Sequence, residues 1–210
     1  LDGVNPAWVP VRAQQVFDDD TVWVFDGGNT TVWSHFFHET TAHNSVVTTF
    51  KFGMLGAGVG QALGAQVARP DRRVVCLIGD GAMGFHMQEI ETAVRAKLPV
   101  VFVVFVDEQW GMVKMNQQFA LKPLKTVVRK SLSESETINA DFAETAFDDV
   151  AEAMGAHGER VKTLDQLVPA LERARDAGGP AVIHVEVDPV AHMWAPSLRT
   201  FKDMHGEPKG

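Results

Sequence analysis

The chain has 210 residues, 45% of them hydrophobic and 22% charged, and 27 acidic against 19 basic residues leave a formal charge of −8. That is enough chain for one well-packed domain of the larger kind, and the sign of the charge argues against a nucleic-acid backbone as partner. With no apolar run long enough to span a bilayer and no basic-then-apolar leader, no membrane partner is expected either. The single cysteine, Cys76, lies inside an apolar run, where a buried core thiol is expected rather than a disulfide framework. That usage fits a cytoplasmic location. The first residue is Leu1 rather than Met, which fits a processed or excised piece of a longer protein.

In chain order, residues 1 to about 10 carry Pro6 and Pro10 and read as a leading loop. A short helix is expected over Val11 to Phe17, ending in the acidic turn Asp18-Asp19-Asp20. Thr21 to Phe25 is β-branched and aromatic, too short for a helix, and closed by Asp26-Gly27-Gly28; it reads as a strand. Asn29-Thr30-Thr31 would cap a helix through Trp33 to Phe37. The same glycines and hydroxyls could hold phosphate oxygens, although as a bare pattern a structural turn is the favoured reading. Between Thr48 and Ala68, Gly56, Gly60 and Gly64 recur every four residues, which predicts one helix face closely approached by a neighbour. Gly58-Val59-Gly60 fails as a dinucleotide fingerprint, because no strand and tight turn precede it.

The stretch Val74 to Met112 is the centre of the chain. An apolar run breaks at Gly79-Asp80-Gly81, a helix is expected from about Phe85 to Lys97, and a second apolar run, Val100 to Val106, breaks at Asp107. A helix should follow Trp110-Gly111-Met112 through Gln118. Residues 119–140, rich in Lys and Ser, read either as a solvated loop or, slightly preferred, as a mobile flap beside a site. Beyond Asp141 come a helix over Asp148 to Met154, a turn at Gly155 to Gly158, a short strand at Arg160-Val161, a helix over Leu164 to Ala177 and a last strand over Ala181 to Val187. Strands near positions 21, 74, 100, 160 and 181, separated by helices, predict an α/β fold: a doubly wound, mostly parallel sheet of five or more strands with helices on both faces. One domain is expected over residues 1–190. The tail over 191–210, holding Trp194, Pro196, Phe201 and Met204, would pack on a partner domain or cover the site.

Asp80 sits between two glycines at one strand end and Asp107 at the next, again before a glycine turn. In a parallel sheet such ends lie side by side at the edge where open α/β folds bind ligands. Two carboxylates among small residues there make a seat for a cation and the phosphates it carries. A lone Gly-Asp-Gly is also an ordinary turn; the second carboxylate, one βαβ interval later, is what gives it weight.

These residues resemble the thiamin-diphosphate-dependent enzymes, in their pyrophosphate-binding domain. The resemblance rests on Gly79-Asp80-Gly81, on FDGGNTTVW (25–33), FGMLGAGVGQALGAQVA (52–68), DEQWGMVK (107–114) and GPAVIHVEVDP (179–189), and covers roughly residues 10–190. The DEQWGMVK stretch is most similar to acetolactate synthases. The resemblance implies that Asp80, Asp107 and the carbonyl of Gln109 bind Mg²⁺, and that Gly81, Ala82 and Met83, following Gly79, offer N–H groups to the diphosphate. It implies further that Gly28, Asn29 and Thr30 hold the terminal phosphate, that the Gly53 carbonyl meets the aminopyrimidine, that Leu55 bends the cofactor, and that Gly111 and Met112 line the pocket. Two departures stand out: Asp107 occupies the position of the family's Asn, and Ala82 lacks a hydroxyl found there in relatives. No catalytic residue is carried over. The ylid-forming glutamate of the family belongs to a pyrimidine-binding domain or subunit, so activity would need that partner in a homo- or hetero-oligomer.

The activity so implied is decarboxylation of a small 2-oxo acid, or cleavage of an acyl donor, with transfer of the carbanion to an acceptor. A 2-oxo-acid decarboxylase and a 2-hydroxyacyl-CoA lyase are rivals within the class; a non-catalytic assembly subunit is a rival outside it, and a nicotinamide oxidoreductase is a weaker rival, for want of its glycine fingerprint. His86, His184 and His192, without metal spacing, read as structural. Lys51, Lys114 and Arg129 read as solvated, although Lys114 lies near enough to the site to meet an acidic substrate, and Glu89 and Glu91 read as a helix face. The tryptophans read as packing residues, with Trp110, beside the metal position, as the exception.

Overall fold

The computed structural model describes residues 3–49 and 52–197. Lys51 and the tail residues Phe201 and Met204 lie outside the described residues. Six parallel strands form one sheet: β1 (Val22–Phe25), β2 (Val46–Thr48), β3 (Val74–Gly79), β4 (Val101–Val106), β5 (His157–Val161) and β6 (Ala181–Glu186), in the order β2-β1-β3-β4-β6-β5. The doubly wound α/β expectation therefore holds. The edge strand β2 escaped the sequence reading because Val46-Val47-Thr48 is too short to register as an apolar run.

The central strands are near-continuous hydrophobic runs because a parallel sheet is covered on both faces. Alternate residues divide between two cores. Phe25, Leu77, Val103, Phe105 and Ile183 face α1 (Trp8–Val16) and α9 (Leu164–Asp176), while Val24, Cys76, Ile78, Phe102 and Val104 face α3 (Ala57–Ala68), α4 (Asp80–His86), α5 (Glu89–Arg95) and α8 (Phe147–Ala153). The remaining helices, α2 (Gly28–Phe37), α6 (Gly111–Leu121), α7 (Pro123–Arg129) and α10 (Pro189–Met193), gather at the carboxyl edge and on its flank. Cys76 is fully buried, as expected.

Several expectations need correction. The helix expected from Phe85 begins at Asp80 and is interrupted at Met87-Gln88, so the glycine turn is itself the first helical turn. Residues 119–140 are not an irregular loop. The chain turns at Lys122 into α7 and then into a 3₁₀ turn over Glu134–Glu136, pinned where the Gln118 side chain accepts from the Leu132 N–H and Thr126 Oγ1 donates to the Gln118 carbonyl. Lys114 is buried against Asp141 rather than solvated. Of the glycines at fourfold spacing, Gly60 and Gly64 would place a Cβ in open space, so no close neighbour explains them among the described residues. The close approaches fall on Gly56, where a Cβ would lie 2.7 Å from His86 Nδ1, and on Gly58, in the turn of α3 that receives Asp26.

Asp26, at the end of β1, accepts hydrogen bonds from the N–H groups of Gly27 (2.6 Å), Gly56 (3.0 Å) and Gly58 (2.6 Å). Burial nevertheless raises its pKa, with those N–H groups pulling the other way. A Cβ on Gly58 would lie 2.7 Å from the Asp26 carboxylate and 3.2 Å from Cys76 Sγ. Gly58→Ala should therefore destabilise the chain by about 1–3 kcal/mol through overpacking. Gly60→Ala, in open space within the same helix, should stabilise it by about 0.5–1 kcal/mol. Urea denaturation of the two variants checks the contrast, and equal effects would contradict this packing.

Candidate functional site

The order of the sheet fixes the position of the site. From β1 the chain winds outward to β2, and from β3 it winds the other way to β4, so the carboxyl ends of β1 and β3 flank a topological switch point. A crevice opens at such a point because the two following helices cover opposite faces of the sheet. Here those helices are α2 and α4, and neither start carries a side-chain cap. Apart from the Gly81 N–H, which Asp80 binds, their first-turn N–H groups carry no side-chain cap and, with the helix dipoles, face the crevice, a setting that favours anions.

Gly79 pairs with Phe105 in the β3–β4 ladder, which brings the two strand-end carboxylates onto neighbouring strands. Asp80 Oδ1 accepts from the Gly81 N–H (2.6 Å), and Oδ2 accepts from the N–H groups of Asp107 (3.1 Å) and Glu108 (2.7 Å). Glu108 takes a left-handed backbone (φ 55°), a strained choice for a glutamate that is retained where surrounding structure demands it. Burial, followed by the charge of Asp107, pushes the Asp80 carboxyl up to about 7. Asp107 Oδ2 in turn accepts from Gln109 Nε2 (3.0 Å) and His192 Nδ1 (2.8 Å).

One cleft of about 70 Å³ collects Gly28, Asn29, Thr30, Leu55, Gly79, Asp80, Gly81, Ala82, Asp107, Gln109, Gly111 and Met112. Two of the expected residues lie outside its lining. The Met83 side chain is buried in the core under α4, and Gly53 stands behind Gly27, whose Cβ would meet the Gly53 carbonyl at 2.6 Å. The Gly81 N–H is already engaged by Asp80, leaving the uncapped turn at Ala82 and Met83 as the open one. Gly111 is required by contact: a Cβ there would lie 2.5 Å from Asn29 Nδ2. A Cβ on Gly81 would likewise lie 2.5 Å from the Trp110 ring. Trp110 separates this cleft from an adjoining apolar one of about 360 Å³ between α4 and the Phe142–Phe147 segment.

The sequence reading missed Gly27 and His192. His192, which reads as structural from the sequence, lies on α10, after the last strand, with Nε2 3.2 Å from Thr30 Oγ1. No spacing signal could have found it, because its partners are 85 and 162 residues away in the chain. His184 and His86 remain apart from the cleft lining, the former beside Asp148 and the latter against Gly56.

Whether this site suits a cation and a phosphate can be judged from its own polar groups. Both side-chain atoms of Asn29 are buried in the cleft without a hydrogen-bond partner, a cost that a bound polar ligand would remove. Among the described residues no group of three or more His, Cys, Asp or Glu side chains is arranged to cage a metal. A pair of carboxylates with further positions open fits an ion such as Mg²⁺, which usually binds one or two carboxylates and takes its other ligands from phosphates and water. The residues fit the diphosphate–Mg²⁺ group.

The raised Asp80 pKa has a consequence for stability. Below the ordinary carboxylate value near 4, Asp80 is protonated whether folded or unfolded; as pH rises through about 7 the folded chain must surrender that proton into a buried, anionic setting, and stability is lost. A bound dication offsets the charge. Thermal melts should therefore show a larger gain from Mg²⁺ with thiamin diphosphate at pH 8 than at pH 6; a gain independent of pH would contradict this electrostatic account.

Residues 26–185 match the family model of the thiamine pyrophosphate enzymes, C-terminal TPP binding domain. The large subunit of acetolactate synthase isozyme 2 from Escherichia coli is 32% identical over 193 residues, covering 89% of this chain and 33% of that protein. An acetolactate synthase large subunit of Mycobacterium tuberculosis is 34% identical over 186 residues, covering 89% and 32%. Among solved structures, benzoylformate decarboxylase from Polynucleobacter necessarius superposes with a TM-score of 0.73 at 26% identity, covering 89% of this chain and 33% of that one. The chain thus spans about a third of the length of the curated relatives it matches. With these relatives and a parallel sheet of this order, the chain belongs to the thiamin-diphosphate-dependent enzymes, as their C-terminal, cofactor-binding domain.

Proposed function

We propose that this chain holds the diphosphate end of thiamin diphosphate through Mg²⁺ for an acetolactate synthase-like enzyme. That enzyme decarboxylates a small 2-oxo acid, or cleaves an acyl donor, and joins the remaining unit to an acceptor. The observation that carries the reading is the pair Asp80 and Asp107 on adjacent strand ends, flanked by two uncapped helix starts and the unpartnered Asn29 amide. Asp80, Asp107 and the Gln109 carbonyl serve as the protein ligands of the cation. Asn29, Thr30 and the first turns of α2 and α4 hold phosphate oxygens by hydrogen bonding and dipole. Leu55 and Met112 keep an apolar wall beside the emerging cofactor, and the Gly53 carbonyl marks its path. When bound, the cofactor supplies the electron sink for making and breaking carbon–carbon bonds; the protein supplies position and charge.

The domain is not self-sufficient in this reading. A cleft of about 70 Å³ is well below the roughly 300–1,000 Å³ that encloses a whole ligand of drug size, so a second surface must cover the remainder. Leu124 and Val128 of α7, 84% and 80% exposed, supply apolar surface for such a neighbour. The neighbour in this proposal is a pyrimidine-binding domain or subunit carrying the ylid-forming glutamate, with residues 1–190 as the cofactor domain and the tail from residue 191 closing over its edge. Pro189–Met193 supports that last part, since this short helix already lies against the cleft. Among the described residues no helix is long and apolar enough to cross a membrane.

A decarboxylase that releases its product without an acceptor is the second reading, favoured by the structural likeness to benzoylformate decarboxylase. Calorimetric titration of the intact assembly with thiamin diphosphate and Mg²⁺ should show binding, which Asp80→Ala abolishes. No binding by the assembled protein would remove the cofactor role. Pyruvate turnover then separates the two readings: acetolactate as product supports the synthase, and acetaldehyde alone supports the decarboxylase.

A further inference from the structure

The carboxylate of Asp107 is not symmetrically surrounded. Oδ2 accepts from Gln109 Nε2 at 3.0 Å and meets His192 Nδ1 at 2.8 Å, while no described group donates to Oδ1. An ionised carboxylate only accepts, so the His192 contact requires the ring proton on Nδ1. The Gln109 amide cannot turn over freely, because the same Nε2 also donates to the Pro189 carbonyl at 2.8 Å. Both donors are thus committed to one oxygen.

The imidazole is itself held. Asp188 caps α10 through the Ala191 N–H (2.7 Å), Trp33 Nε1 donates to the His192 carbonyl (2.9 Å), and the ring stacks on Phe105 with centroids 5.6 Å apart. On the other side of the ring, Nε2 lies 3.2 Å from Thr30 Oγ1, within hydrogen-bonding distance. His192 is 4% exposed and joins the strand end that bears Asp107 to the first turn of α2.

Resting on the cation reading proposed above, we infer that His192 is a positioning residue that restricts Asp107 to a single metal-facing oxygen and ties it to the phosphate-holding turn at Thr30. One oxygen per carboxylate suits the tight octahedron of Mg²⁺, whereas Ca²⁺ accepts bidentate carboxylates in looser and larger shells. A fixed, one-oxygen Asp107 therefore discriminates between the two ions. Partners of this kind usually change metal affinity by about 10–100-fold when removed.

Two substitutions separate the ring nitrogens. The amide of His192→Asn can stand in for Nδ1, and that of His192→Gln for Nε2. The intact assembly, with saturating thiamin diphosphate, is titrated calorimetrically with Mg²⁺ and separately with Ca²⁺, and its melting temperature is recorded without metal. His192→Asn should keep Mg²⁺ affinity within a few-fold of the unmodified protein. His192→Gln should lose about tenfold or more and narrow the preference for Mg²⁺ over Ca²⁺. A purely packing role would instead lower the metal-free melting temperature in both variants and leave the Mg²⁺-to-Ca²⁺ ratio unchanged, which overturns the inference. Normal Mg²⁺ affinity in His192→Gln also overturns it, with the cofactor reading intact. Failure of the unmodified protein to bind either metal overturns both.

Discussion

The bond on which the site depends is the one from the Asp80 carboxylate to the backbone of the next strand. Oδ2 takes the N–H groups of Asp107 and Glu108, so the ends of β3 and β4 are held in fixed relation by a buried charge. Parallel strands leave their terminal N–H groups without ladder partners at the sheet edge, and a carboxylate is an efficient way to satisfy two of them. Such a group is expensive to bury beside a second carboxylate. That tension is what makes the edge receptive to a cation.

Around this bond the other loops are arranged by contact more than by flexibility. Asn29 is pressed against Gly111, and Trp110 against Gly81, so the four loops after β1, β3, β4 and β6 fit one another closely. Asp141 and its neighbours complete the arrangement: Lys114 is buried on Asp141, the Trp110 N–H donates to the Ala140 carbonyl (2.8 Å), and the Phe142 N–H to Glu108 (2.7 Å). A segment that composition alone made look solvated is laced to the loop that follows Asp107. The departure from the family pattern at position 107 acquires a physical setting here. Asparagine would bring its own N–H group toward the two donors that converge on Oδ2, whereas a carboxylate accepts from both.

Much of this was legible before the fold. Strands β3, β4 and β6 announced themselves as apolar runs closed by Gly or Asp, and α9 as an amphipathic repeat. Asp80 and Asp107 were legible because strand–helix–strand spacing alone sets their ends side by side. Less visible were features that depend on a partner distant in sequence. Val46–Thr48 is a strand only because β1 offers it an edge, and Lys114 is buried only because Asp141 returns to meet it. The spacing of Gly56, Gly60 and Gly64 suggested one packed face, yet only Gly56 of the three is crowded, by His86 and Phe85, and the other crowded glycine is Gly58, which Asp26 reaches from the side.

The cofactor came from the resemblance to a family; by itself, the patterning of the sequence determined a parallel doubly wound sheet and a carboxylate at each of two adjacent strand ends, a seat for a cation and the phosphates it carries. These follow from local patterning: periodicity, strand length and the placement of glycines are properties of neighbouring residues. The tertiary structure alone decided which atoms face the crevice and which are already spoken for. It set the Gly81 N–H on Asp80, left the Asn29 amide without a partner, and brought His192 from the far end of the chain to Asp107 and Thr30. The reason is that hydrogen-bond satisfaction at a sheet edge depends on which loops converge there, and convergence is set by strand order rather than by sequence distance.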